Sequence, residues 1–172
     1  MASLGHLAIG MAAGRAFGPD RATARKAAVA FSLVSFWPDI DALGLSHGIA
    51  YASPFGHRGA THSLVVAVVV GLLGYAFARR KKLPALRTAL FTAAVAMSHG
   101  LLDTTTYGGG LGCALLWPFS THRFWAPVRF IPVAPIGARL FSSHGLSVML
   151  TELVLFAPFF VYALWPRKTE MG

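Results

Sequence analysis

Aspartate and histidine fall into three short groups along this chain. They are Asp39-Ile40-Asp41, His57-Arg58-Gly59-Ala60-Thr61-His62 and His99-Gly100-Leu101-Leu102-Asp103, with His6 alone near the start. Together they hold three of the six acidic residues and four of the seven histidines. Imidazole and carboxylate are the usual ligand set for zinc, manganese or iron. Where acids are this scarce, such placement predicts a divalent-metal site. His99 and Asp103, spaced i, i+4, share one helix face and can chelate an ion with little backbone strain. Asp39 and Asp41 can bridge two ions or share one. His57 and His62 flank Arg58, whose guanidinium suits a phosphate or carboxylate beside metal ligands. Each group also has an ordinary reading: a helix-end Asp beside a core His, a Pro-Asp turn, and a helix cap at Thr61.

The elements that must position these groups belong to a membrane protein. The chain has 172 residues, 55% hydrophobic and 12% charged, with a mean hydropathy of +0.60. Soluble domains carry about a quarter charged residues. The expected fold is all-α: one membrane-embedded domain over residues 1–172, a polytopic bundle of about five embedded helices with a long outer loop. The net charge of +9 lies largely in Arg79-Arg80-Lys81-Lys82 with Arg87, and in Arg167-Lys168, beside apolar stretches. That is the positive-inside pattern, not a nucleic-acid-binding stripe. The lone Cys113 excludes an internal disulfide, and residues 1–18 lack the leading positive charge of a signal peptide.

Five segments read as helical, roughly 3–17, 24–37, 62–79, 85–103 and 144–165. The third and fifth approach the ~20 residues needed to span a bilayer. The first two, short and rich in Ala and Gly, read as half-embedded or packed on the others. Pro38 is expected to close the second helix and Leu83-Pro84 to separate the third from the fourth. Residues 42–61 and 104–142 read as loops, the second long enough to cover a site. Its Trp117, Phe124 and Trp125 suit an aromatic belt.

Arg21, Arg25 and Lys26, the 79–87 basic run, and Arg167-Lys168 all reach the cytoplasmic side if the helices alternate. The Asp/His groups then lie near the outer face of the cytoplasmic (inner) membrane. At about 1.5 Å per residue, Lys26 to Asp39, Arg79 to His62 and Arg87 to His99 span about 20, 26 and 18 Å. Asp20 to His6 and Arg167 to Glu152 span about 21 and 22 Å on the same rise. Five segments therefore bring polar side chains to a similar height. Glu152, the one acid in the last apolar segment, is costly there and needs a partner or a cavity; it reads as a ligand, a neighbour of the ligands, a general base, or the partner of an Arg such as Arg139. His47, His122 and His144 read as loop residues. Arg123, Arg129 and Arg139 break the positive-inside trend, which contact with anionic headgroups or a phosphorylated substrate would explain.

In order, His6-Leu7-Ala8-Ile9-Gly10, Pro38-Asp39-Ile40-Asp41, His57-Arg58-Gly59-Ala60-Thr61-His62-Ser63 and Ser98-His99-Gly100-Leu101-Leu102-Asp103 resemble the YdjM/YbcI-like family, over residues 6 to about 120. These are described as inner-membrane metal-dependent hydrolases, some labelled LexA-binding. By that resemblance His6, Asp39, Asp41, His57, His62, His99 and Asp103 match the family's polar motif positions. The HxxxD element is also similar to one in zinc-dependent phospholipase C, which implies phosphoester cleavage. The expected function is a membrane hydrolase using water activated by one or two divalent ions, zinc before manganese or iron, on a lipid or lipid-linked phosphoester. Arg58 would stabilise substrate charge, and Asp41 or Glu152 would move protons. The alternatives are a metal or proton transporter and a regulatory membrane protein with a structural metal.

Overall fold

Small residues set the tightest packing in the molecule. The computed structural model describes residues 3–166, and its first two helices, α1 (Ser3–Phe17) and α2 (Arg21–Phe36), lie backbone against backbone. A Cβ on Gly10 would stand 2.5 Å from Ser32 Cα, and one on Gly14 would stand 2.2 Å from Ala28 Cα. No side chain fits there, so a glycine every fourth residue lets α2 nest on α1. α4 (Leu64–Arg80) and α5 (Ala85–Thr104) form a second hairpin, and α5 also packs on α1 and α2. α6 (Ser143–Leu155) and α7 (Ala157–Leu164) close over α1. Asp20, Ser63 and Ser142 cap α2, α4 and α6, each accepting a backbone N–H through its side chain.

The fold is mostly helical, and three details differ from the sequence reading. Pro38 does not end the second helix. A 3-10 turn over Trp37–Ala42 and the short α3 (Leu43–Ser46) carry it on to a 26-residue span, Arg21–Ser46. Pro38 sits in the first turn of that 3-10 segment, where its missing N–H costs nothing. The last segment is broken instead: α6 and α7 meet at 62°, with Pro158 in the first turn of α7. Arg21–Ser46 and Ala85–Thr104 are long and apolar enough to cross a membrane, and the bent pair makes a third if it is one span. α1 and α4, at 15 and 17 residues, are shorter, so among the described residues two to three spans are supported by length and composition, and five embedded helices are not confirmed. The third difference is in the 104–142 loop, where β1 (Thr106–Tyr107) pairs in parallel with β2 (Ile131–Pro132). Arg167-Lys168 lie outside the described residues.

Polarity is inverted relative to a water-soluble domain. Leu72, Leu73, Leu86, Leu90, Leu150 and Val154 face outward, while His6, His57, Arg58, His62, His99, Asp103 and Glu152 are buried. That distribution suits a hydrocarbon surround.

Candidate metal centre

Four of the five depth-matched segments converge. Asp39 comes from the 3-10 turn after α2. His62 ends a second 3-10 turn, Ala60–His62, that leads into α4. His99 and Asp103 come from one face of α5, and His6 from the first turns of α1. Gly100 makes the approach possible: a Cβ there would stand 2.3 Å from the His62 carbonyl oxygen, so its absence lets the 60–62 turn lie against α5.

His62 Nε2 and His99 Nε2 face each other at 3.0 Å. Asp39 Oδ1 lies 3.4 Å from His99 Nε2 and 3.6 Å from His62 Nε2. Asp103 Oδ2 lies 3.7 Å from His62 Nε2. All four ligand atoms fall within 4.8 Å of one another. Ligands about 2.0–2.1 Å from a tetrahedral ion stand about 3.3 Å apart, close to these spacings.

The far sides of the rings fix which nitrogens are available. His99 Nδ1 is 2.6 Å from the Ser35 carbonyl and donates to it. His62 Nδ1 donates to Thr61 Oγ1 at 3.0 Å and lies 3.2 Å from Asp41 Oδ2, to which that hydroxyl donates. With both Nδ1 protonated, both Nε2 lone pairs point at the same spot as the two carboxylates. This donor set fits a divalent cation, and ligand histidines are commonly oriented through such outward hydrogen bonds. Asp39 agrees with the fit, because both of its buried carboxylate oxygens lack a hydrogen-bond partner and so large a local charge needs a cation. Burial opposes charge on His62, yet the neighbouring carboxylates of Asp103, Asp39 and Asp41 outweigh burial and push its pKa up to about 10.

Asp41 and His57 take different places from Asp39 and His62. Asp41 accepts from His57 Nδ1 at 2.6 Å, Arg58 N at 3.2 Å and Thr61 Oγ1 at 2.5 Å, and it faces His62 Nδ1. A second group of potential ligands, Asp41, His57 and His62, shares His62 with the first. Thr61 does not cap α4; Ser63 does, and the Thr61 hydroxyl serves Asp41. His6 stacks on His99 with ring centroids 3.8 Å apart and puts Nε2 3.3 Å from Asp103 Oδ1. Glu152 stands at the start of α1, where it accepts from Leu4 N at 2.6 Å and Gly5 N at 3.2 Å. It is linked to the centre through His6's helix.

Arg58 is fully buried, with Nε 3.0 Å from Asp103 Oδ2 and Nη1 donating to the Leu111 carbonyl at 3.1 Å. Its backbone is left-handed, φ +63, which costs a non-glycine residue on the order of 1–3 kcal/mol. The segment is fixed on both sides: Arg58 N donates to Asp41, and its carbonyl accepts from Ala114 N at 3.0 Å. Arg123, expected to meet an anionic ligand, instead donates to the carbonyls of His57, Gly112, Tyr51 and Ser53. It ties the 51–57 loop to the long loop, a role that depends on remote carbonyls and leaves no trace in the sequence. Trp125 lies under two guanidiniums, those of Arg58 and Arg129, at 5.6 and 5.3 Å.

The whole arrangement lies in a stretch shared with known proteins. The family model described as YdjM inner membrane protein matches residues 1–169. The inner membrane protein YbcI of Escherichia coli (strain K12) is 43% identical over 124 residues, 71% of each chain. No solved structure matches the chain.

Proposed function

The chain belongs to the YdjM inner membrane protein family, and we propose that it is a metal-dependent hydrolase whose centre is Asp39, His62, His99 and Asp103. One observation carries this reading: two imidazole nitrogens and two carboxylates converge within 4.8 Å of one another, both rings held from behind. A single divalent ion, zinc by its ligands, suits this set better than two, because Asp41 already accepts three hydrogen bonds and faces His62 Nδ1. Bound by these four groups, such an ion would take water as a further ligand, lower that water's pKa and polarise the bond to be cleaved.

The protein groups have distinct tasks. Asp41 holds His62 and His57. His6 and Arg58 hold Asp103. Asp39 Oδ2, which carries no hydrogen bond, is placed to take a proton from water. Arg58 offers positive charge to an anionic substrate, for which the proposed class is a phosphoester of a lipid or lipid-linked molecule, cleaved near the outer face. A buried guanidinium against Asp103 opposes cation passage, which favours hydrolysis over transport.

Elemental analysis of the detergent-purified protein tests the centre. Stoichiometric divalent metal is expected, falling to background in His62→Ala and Asp103→Ala, together with chelator-sensitive hydrolysis of a phosphomonoester reporter. Absence of metal, or its retention in both variants, would overturn the reading.

A further inference from the structure

Beside the centre lies a cavity that the ligand set does not use. It is a half-open cleft of about 420 Å³ lined by Tyr51, His57, Arg58 and Gly110 and by the 133–139 segment with Arg139. Small-molecule sites usually measure about 300–1,000 Å³. We propose that this cavity binds the phosphoryl group of a phosphoester, with Arg58 and Arg139 as its cationic contacts.

The side chain that makes this a built site is Arg58. It is wholly buried, and its Nη2 has no hydrogen-bond partner. Leaving a guanidinium N–H buried without an acceptor is costly, so the geometry calls for an anion at that atom. Gly110 lines the same cavity close to the guanidinium: a Cβ there would stand 3.6 Å from Arg58 Nη1 and 2.8 Å from the Tyr51 hydroxyl. Gly110 also has φ +75, so the loop can pass this close only with glycine. Arg139 is exposed at the cavity's edge and can meet an anion arriving from outside.

Two features select a phosphoester over a bare carboxylate. Arg58, Arg139 and Tyr51 together present more donors than the two oxygens of a carboxylate accept, whereas a phosphoryl group offers three acceptor oxygens. The opposite wall is apolar, formed by Val133, Ala134, Pro135 and Ile136, and suits the carbon skeleton of an ester. Arg58 and His57 are also the residues tied to Asp103 and Asp41. A phosphoryl group in the cavity would therefore sit one side chain away from the centre. Its meaning as a substrate site rests on the hydrolase reading; the binding itself does not.

The test is calorimetry with glycerol phosphate and with succinate on the chelator-treated full chain in detergent. Glycerol phosphate is expected to bind without metal, and succinate at least tenfold more weakly. Arg139→Gln and Gly110→Ala should each weaken glycerol phosphate at least tenfold. Arg139→Gln, at an exposed position, guards against a folding defect in Gly110→Ala. Unchanged affinity in both variants, equal binding of succinate, or phosphate binding only after metal is restored would overturn the proposal. In nanodiscs, competition by phosphatidic acid would identify a lipid headgroup as the source, and undiminished glycerol phosphate binding a soluble ester; either supports the site. Metal content measured on the same preparations before chelation separates the two readings. Retained metal with no phosphate binding defeats the cavity alone, and lost metal with intact phosphate binding defeats the hydrolase centre alone.

Discussion

His62 and His99 meet Nε2 to Nε2 at 3.0 Å, and each has its other ring nitrogen committed outward, to the Thr61 hydroxyl beside Asp41 and to the Ser35 carbonyl. Two imidazole lone pairs so aligned repel each other unless positive charge lies between them. A proton or a metal ion supplies it, and the two compete for the same place. The consequences below follow from that competition and from the packing that enforces it.

Asp41 and Asp39 should respond differently to substitution. Asp41 orients His62 from behind, and losing such an outer partner typically costs about 10–100-fold in metal affinity. Asp41→Ala is therefore expected to weaken zinc by that factor while keeping full occupancy at excess metal. Asp39→Ala, which removes a ligand, should reduce occupancy even then. Competition against a chromophoric chelator reads both. Equal losses in the two variants would place Asp41 among the ligands.

Metal affinity should rise with pH. The raised pKa of His62, about 10, means that below it an ion must displace a proton. Apparent affinity is then expected to rise about tenfold per pH unit between about 6.5 and 10. The same shift has a stability consequence for the metal-free protein. Protonated His62 stabilises the fold fully below its unfolded value of about 6.5, and that contribution is lost as pH rises through about 10. The metal-free melting temperature should fall across this window and the zinc-loaded one should not. A flat metal-free profile would show that His62 is not the proton's site.

The separate roles of Asp39 and Asp41 show where sequence reasoning stops. Composition and depth counting bring His6, Asp39, His62, His99 and Asp103 to one level, because helical rise is uniform and charge in an apolar chain needs a partner. Asp39 and Asp41 look equivalent at a spacing of two. The 3-10 turn, with three residues per turn, rotates one about 240° from the other, so they face different neighbours. The same limit hides the bend at Phe156, where Pro158 begins a new helix, and the pairing of Arg123 with carbonyls 66 to 72 residues away in sequence. These are properties of packing between segments, and hydrophobic periodicity within one segment does not carry them.

Gly100→Ala tests the contact that seats His62. The added Cβ would meet the His62 carbonyl oxygen at 2.3 Å, which is backbone and yields only if the 60–62 turn moves off α5. Overpacking of this kind costs about 1–3 kcal/mol. The expected outcome is a lower melting temperature together with weakened zinc binding, since His62 Nε2 would retreat from His99. Gly137→Ala serves as a comparison, because a Cβ there meets nothing within 4 Å although its φ is +68; it should leave zinc affinity unchanged. A stability loss in Gly100→Ala without a change in zinc affinity would uncouple the turn from the centre.

Glu152 separates a structural acid from a catalytic one. Its carboxylate accepts the Leu4 and Gly5 amides at the N-terminus of α1, where a negative charge meets unsatisfied N–H groups and the positive end of the helix dipole. Glu152→Gln keeps an acceptor oxygen and removes the charge, and the expected cost is about 1 kcal/mol, read as a lowered melting temperature. Glu152→Ala removes both and should cost more. Because α1 carries His6 to Asp103, a small loss of zinc affinity should accompany the loss of stability and grow with it from Gln to Ala. The decisive readout is the pH profile of hydrolysis. If Glu152 acted as a general base, the Gln variant would lose the acidic limb of that profile while retaining metal and fold. If it anchors α1, as its two amide partners indicate, the profile keeps its shape and only its height changes.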